Sequence, residues 1–244
     1  MNNFFDGLEC SSAFGYTFDD DGNFIPIHVN YSLWDARYFP FVVLGDELTS
    51  LNDYCYMIKN SIQSEFEIVT NDVDAHKRSP KGFDHKYWSF TSHEVLLGLE
   101  EEVYKWQWLN DITAAHLIIL LYAYLEKTMK YICRLFLAEG IIKTKWKSKG
   151  SKLSNYISFI MYVDIENRML NVQNKLNLIN EARKIRNNFA HDNLEGSDLD
   201  EDADYIYDNR AFAPPFKLIE LIDAIANILS TVEDIWQDHF KNKP

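Results

Sequence analysis

Several features that would identify a function outright are missing from this chain. Its three cysteines, Cys10, Cys55 and Cys133, lie far apart and form no C-x-x-C pair. That argues against a disulfide framework and reads as buried free thiols in a reducing compartment. Positive charge is scarce: 24 Lys and Arg against 37 Asp and Glu leave a net charge of −13. A general nucleic-acid binder needs a basic surface, so that class is disfavoured, whereas an enzyme that meets RNA through one local basic patch is not. The longest apolar stretch, Leu117 to Leu125, falls well short of the roughly 20 residues that span a bilayer. The amino terminus, Met1-Asn-Asn-Phe-Phe-Asp6, has neither the basic start nor the apolar run of a signal peptide, and a cytoplasmic protein is expected.

Motifs for cofactors and metals are also missing. There is no Walker loop, no G-x-G-x-x-G and no G-x-S-x-G. His93-Glu94 lacks the second histidine of a zinc helix, and Asp19-Asp20-Asp21-Gly22 lacks the spacing and terminal Glu of an EF-hand. The expectation is a protein without metal or cofactor.

What the chain does have is apolar and aromatic bulk. Hydrophobic residues make up 47% and aromatics 15%, enough for a sizeable core in 244 residues. Phe14–Phe18, the turn cluster Asp19–Asn23 and Phe24–Val29 form the pattern of a β-hairpin, with Pro26 placing the second strand on an edge. Gly45 to about Glu67 carries a helical stripe of Leu48, Leu51, Cys55, Ile58 and Ile62. Residues 68–90, with Ser79-Pro80-Lys81-Gly82 inside, read as a linker. This divides the chain into an N-terminal elaboration, residues 1–90, and a main helical domain, residues 91–244.

Ser92 can cap a helix carrying Val95, Leu99, Val103 and Trp106. A second helix, about Asp111 to Ala138, is apolar nearly all round, as the centre of a bundle would be, and Glu139-Gly140 ends it. Shorter helices follow at about Leu153–Val163 and Val172–His191, the latter turning Leu178, Ala182, Ile185 and Phe189 inward. A final helix runs from Phe216 to about Phe240. The fold class is mainly α, a bundle of five or six helices with a small N-terminal β-hairpin and an extra helix.

Two stretches carry chemistry. In Lys143–Lys152, five lysines (Lys143, Lys145, Lys147, Lys149 and Lys152) surround Trp146 in an otherwise acidic chain. This is a candidate RNA-binding loop with a ring for stacking, or simply a solvated one. In Arg186-Asn187-Asn188-Phe189-Ala190-His191, arginine offers a planar fork for phosphate and histidine titrates near neutral pH. Five residues turn a helix by about 500°, so Arg186 and His191 sit about 140° apart, while Asn187 and His191 share a face. A basic helix surface ending in a histidine favoured by the helix dipole has the same spacing.

Arg186, four intervening residues and His191 resemble the R-x4–6-H motif, with a polar residue after the arginine, that marks the HEPN superfamily. The context is similar too, because the motif closes the penultimate long helix. Upstream, Ala123-Tyr-Leu-Glu126-Lys-Thr-Met-Lys130 resembles the earlier bundle helix, where members often carry an acidic residue facing the motif. The resemblance covers about residues 92–240. It implies a HEPN-like helical bundle that acts as a homodimer with both motifs in one cleft. The implied activity is a metal-independent endoribonuclease of the toxin or antiphage-defence type, acting on RNA such as tRNA, with an antitoxin or other regulatory protein as partner. In that reading His191 takes the proton from a 2′-OH or protonates the 5′-oxygen leaving group. Arg186 holds the scissile phosphate, Asn187 orients the imidazole or a phosphate oxygen, and Glu126 fixes Arg186 or the histidine tautomer. Members paired with a nucleotidyltransferase antitoxin often carry a tyrosine two positions after the histidine. Here that position is Asn193, so control by modifying that tyrosine is not expected.

Two other classes account for the same residues. One is a non-catalytic HEPN-like module that binds a nucleotide or a protein partner. The other is a structural helical interaction protein, with Arg186 and His191 pointing apart into solvent.

Overall fold

The computed structural model describes residues 3–18, 24–30, 33–140, 152–191 and 214–241, with side chains omitted at 3, 12–18, 24–30, 190–191 and 240–241. Strands β1 (Ser12–Phe18) and β2 (Phe24–Asn30) form the expected antiparallel hairpin, with Tyr16 opposite Pro26. With only two strands both are edges, so a proline that cannot donate is tolerated there. Helix α1 (Phe41–Arg78) leads to a second small hairpin, β3 (Phe83–His85) and β4 (Trp88–Phe90), and then to α2 (Ser92–Ala138). Helix α3 (Lys152–Val163) and a short 3-10 turn (Arg168–Val172) precede α4 (Gln173–His191), and α5 (Leu218–Lys241) closes the fold. The chain is mainly helical, as its patterning implies.

Three sequence expectations need correction. Residues 68–78 are helix, not linker, because the first real stop is Ser79-Pro80. Val73 is buried there, and His76, Lys77 and Arg78 suit the negative end of the helix dipole. Residues 83–90 are paired strands rather than loop. The two helices expected around Asn110-Asp111 are one 47-residue helix. No proline interrupts it, and Asn110 is buried without breaking it.

The cap of α2 is Thr91, one residue earlier than expected. Thr91 Oγ1 accepts from the Glu94 amide (3.3 Å), and Glu94 Oε2 accepts from the Thr91 amide (2.7 Å), forming a reciprocal capping box. Ser92 acts elsewhere. Its hydroxyl lies 3.0 Å from His76 Nε2 and ties the end of α1 to the start of α2.

The core forms around the second half of α2, where Ile118, Leu121, Leu125, Met129, Ile132 and Phe136 are fully buried. Helix α5 supplies Leu221, Ile225, Ile228, Leu229 and Val232, and α4 supplies Leu176, Ile179, Ala182 and Ile185. The inward row of α4 is thus rotated slightly from the expected one, leaving Leu178 and Phe189 only partly buried at its margin. By length and composition α2 could cross a membrane, but half of its most apolar window is buried inside the bundle. A central helix has that composition for packing reasons.

Residues before and after position 90 share this core. Trp34 packs edge-on against Phe41, Phe41 meets Trp236, and Trp236 lies 4.8 Å from Phe136 between ring centroids. The buried Glu233 of α5 fixes the connection. Its carboxylate accepts from Trp34 Nε1 (3.0 Å) and from the amides of Arg37 (2.7 Å) and Tyr38 (2.9 Å). A carboxylate tolerates burial only with such donors.

Candidate functional site

Helices α2 and α4 pack antiparallel, since Tyr122 of α2 meets Arg186 of α4 while the earlier His116 meets the later Phe189. Burying Ile179, Ala182 and Ile185 turns Arg183 and Arg186 toward the margin of this interface. The Arg186 guanidinium carbon lies 5.9 Å from the Tyr122 ring centroid. This is cation–π range and helps hold the fork in place. Arg186 Nη1 donates to Asn187 Oδ1 at 3.0 Å. Asn187 therefore steers the arginine.

Glu126 lies one turn beyond Tyr122 and is half-buried. The Tyr122 hydroxyl senses all the neighbouring charges. Burial raises its pKa first, Glu126 raises it further, and Arg183 and Arg186 pull it down, leaving it above the ordinary value of 10.0. Glu126, Arg183 and Arg186 thus each lie within electrostatic reach of the Tyr122 hydroxyl. Sequence spacing shows Arg183 only as an extension of the Asn187 row, yet its Nε is buried without a hydrogen-bond partner. Two like charges one turn apart with an unpaired donor are unfavourable by themselves and become favourable around an anion.

His191 is the last residue of α4. Its side chain lies outside the described residues. The helix continues to that point, so the angular separation of about 140° stands for the backbone directions of the two residues. Lys152 is exposed at the first position of α3, and Lys143, Lys145, Lys147 and Lys149 lie outside the described residues. His116, exposed, sits edge-to-face with Phe189 with centroids 5.1 Å apart. It is not a candidate on sequence grounds, because a lone histidine on a long apolar helix carries no spacing signal.

Among the described residues no group of three or more His, Cys, Asp or Glu is placed to hold a metal ion. Burial pushes the Cys55 and Cys133 thiols up to about 12, so both are inert packing groups. A separate, largely apolar groove of about 620 Å³ opens between α1 and α2, lined by Val43, Glu47, Leu51, Leu120, Tyr124 and Lys127. It lies on the other side of α2 from Tyr122 and Glu126 and is not their cleft.

The fold thus defines a class, a mainly helical bundle with two arginines, Arg183 and Arg186, on one side of α4. No family model, no curated protein and no solved structure matches the chain.

Proposed function

We propose that the chain is a HEPN-like, metal-independent endoribonuclease of the toxin or antiphage-effector type, acting in the cytoplasm as a homodimer. The observation that carries this reading is the arginine face of α4. Arg186, about one and a half turns before the helix-terminal His191, is held on Tyr122 and Asn187, and Arg183, about one turn further back, offers an unpaired Nε. In the reaction, His191 accepts the proton of an RNA 2′-OH, and the 2′-oxygen attacks the adjacent phosphorus. The bond to the 5′-oxygen breaks, and a protonated histidine, from the same copy or the second, returns a proton to that leaving group. The products are a 2′,3′-cyclic phosphate and a 5′-hydroxyl. Arg186 and Arg183 bind the non-bridging oxygens and stabilise the charge that builds on them. Glu126 balances the two arginines and positions Arg186. The wide angle between Arg186 and His191 favours a cleft shared by two copies, each supplying one of the two groups. Candidate substrates include tRNA, and an antitoxin or regulatory protein would restrain the activity.

The test is cleavage of total RNA and tRNA with and without a chelator. Activity should persist in EDTA, leave 2′,3′-cyclic phosphate ends, and fall by about 10²–10⁴-fold in His191→Ala. Unchanged activity in His191→Ala overturns the proposal. The second reading, a non-catalytic module that binds a nucleotide or partner, draws on the same arginines, because an anion site needs no histidine. It is the better account if no RNA is cut and nucleotide binding weakens in Arg186→Ala.

A further inference from the structure

Beyond the first part of the bundle, α1 and α2 continue as a two-helix arm. No residue of α2 before Asn110 is buried, and in α1 only Ile62 and Val73 are buried after Cys55. The stretch from Ser92 to Leu109 carries the arm about 27 Å along the helix axis. At its end sits the β3–β4 hairpin. Its register pairs Phe83 with Phe90 and His85 with Trp88, so these four side chains fall on one face. Their rings lie nearly parallel: Phe83 and His85 at 23°, His85 and Trp88 at 26°, Phe83 and Phe90 at 32°, with centroids 6.1–6.3 Å apart. None is used by the core. Trp88 is 67% exposed, Phe83 52%, and Tyr87 in the turn 70%.

Within this stretch of sequence the charge is reversed from that of the chain as a whole. Between His76 and Phe90 there are four cations, Lys77, Arg78, Lys81 and Lys86, against the single carboxylate Asp84, in a chain whose net charge is −13. Lys77 is paired with Glu100 of α2 at 3.1 Å, but Lys81 and Lys86 are exposed, and Lys86 Nζ lies 5.3 Å from the Tyr87 ring centroid. The tip is also built to one shape. A Cβ on Gly82 would approach the Phe90 carbonyl oxygen to 2.6 Å, so only glycine lets the chain enter the hairpin there.

We propose that this tip binds single-stranded RNA, with bases stacking on the Phe83–His85–Trp88–Phe90 face and Lys81 and Lys86 contacting phosphates. Planar rings held nearly parallel suit bases, whose faces stack whatever their sequence, and exposed lysines beside them suit the backbone. A bilayer fits less well. Residues 79–91 contain no Leu, Ile, Val or Met to insert, and Asp84 sits within the hairpin. The site goes beyond the ribonuclease reading and stands without it, since binding here uses neither Arg186 nor His191.

The test uses a fluorescein-labelled 2′-O-methyl RNA, which lacks the attacking hydroxyl, so binding is read by anisotropy whether or not the protein cuts RNA. The full chain should bind it with an affinity that falls as salt rises. Trp88→Ala should weaken binding roughly tenfold. Lys81→Glu with Lys86→Glu should weaken it and flatten the salt dependence. These two lysines are exposed, so that variant keeps the test valid if Trp88→Ala loosens the hairpin, which circular dichroism would reveal. The proposal is overturned if the double lysine variant binds as tightly as the parent. It is equally overturned if the parent ignores the RNA but sediments with vesicles of phosphatidylserine and phosphatidylcholine.

Discussion

The two ends of α2 share one continuous helix and differ in almost everything else. From Asn110 to Phe136 its residues fill the centre of the bundle, while from Ser92 to Leu109 none is buried. The buried half follows from apolar bulk, since burying one large side chain contributes roughly 1.5–3 kcal/mol. The exposed half depends on local devices: the Thr91–Glu94 capping box, the contact between His76 and Ser92, and the Lys77–Glu100 pair. An exposed ion pair contributes about 0–1 kcal/mol, so the arm holds its shape on small increments. Each proposed site uses the end that suits it. The arginine face stands on the rigid half, and the aromatic tip rides on the projecting one.

The sharpest way to break this comparison is to remove the same kind of atoms from each end. Phe136, fully buried against Phe159, Trp236 and His239, should cost about 3–5 kcal/mol when replaced by alanine. Val95→Ala, at a half-buried position of the arm, should cost about 1 kcal/mol or less. Urea unfolding of the two variants reads the difference, and equal losses would mean the arm is as much a part of the cooperative core as the centre. A smaller effect separates local from global stability. Thr91→Ala removes the cap of α2, a change worth about 1 kcal/mol. Because the arm can open without the bundle, the loss should appear as faster amide exchange in the first turns of α2, with the urea midpoint hardly moved. A matching fall in the midpoint would show that the arm does not open separately.

The same contrast explains how much can be read in the sequence. The buried half of α2 and α5 follow from apolar spacing, with boundaries that agree within a few residues, whereas on α4 the spacing finds Ala182 and Ile185 but misses the buried Leu176 and Ile179. The arm is not legible there because its signal is not apolar. Residues 68–78 are held in helix by basic residues at a helix end and by one buried valine, and polar stretches of that kind resemble loop. The β3–β4 hairpin hides in three-residue strands around Lys86-Tyr87, too short for alternation to register. At the candidate site, Arg186 and Asn187 stand out in the sequence as part of a motif, and Glu126 as an acidic residue on the earlier helix. Tyr122 is not, because an aromatic residue in an apolar helix looks like packing until its neighbours across the interface are known. Arg183 stands in the row, but the burial of its Nε without a partner shows only in the fold.

Acid provides the finest comparison, because each region relies on a carboxylate held in its charged form. Asp53 of α1, beside the packed half, clamps the N-terminal segment: its two oxygens accept from the Ser11 amide (2.6 Å) and hydroxyl (2.7 Å). Burial alone would raise its pKa, but the hydrogen bonds from the Ser11 side chain and amide, from Asn52 and from Cys10 outweigh it and leave the group below 3.8. At the arm, hydrogen bonds from the Thr91 amide and hydroxyl hold Glu94 below 4.5. Both groups have depressed values in the folded state, so each contribution is complete above the unfolded value and is lost as pH falls through the folded one. The windows therefore open below 4.5 for the arm and below 3.8 for the clamp. Amide exchange on a descending pH series, corrected for intrinsic rates, should show the start of α2 losing protection in the first window and the residues around Ser11 in the second. In Glu94→Gln the first step should vanish while the second persists, and in Asp53→Asn the reverse. A single step common to both regions, unmoved by either substitution, would show that acid acts on the bundle as a whole and that the arm and the packed half do not titrate independently.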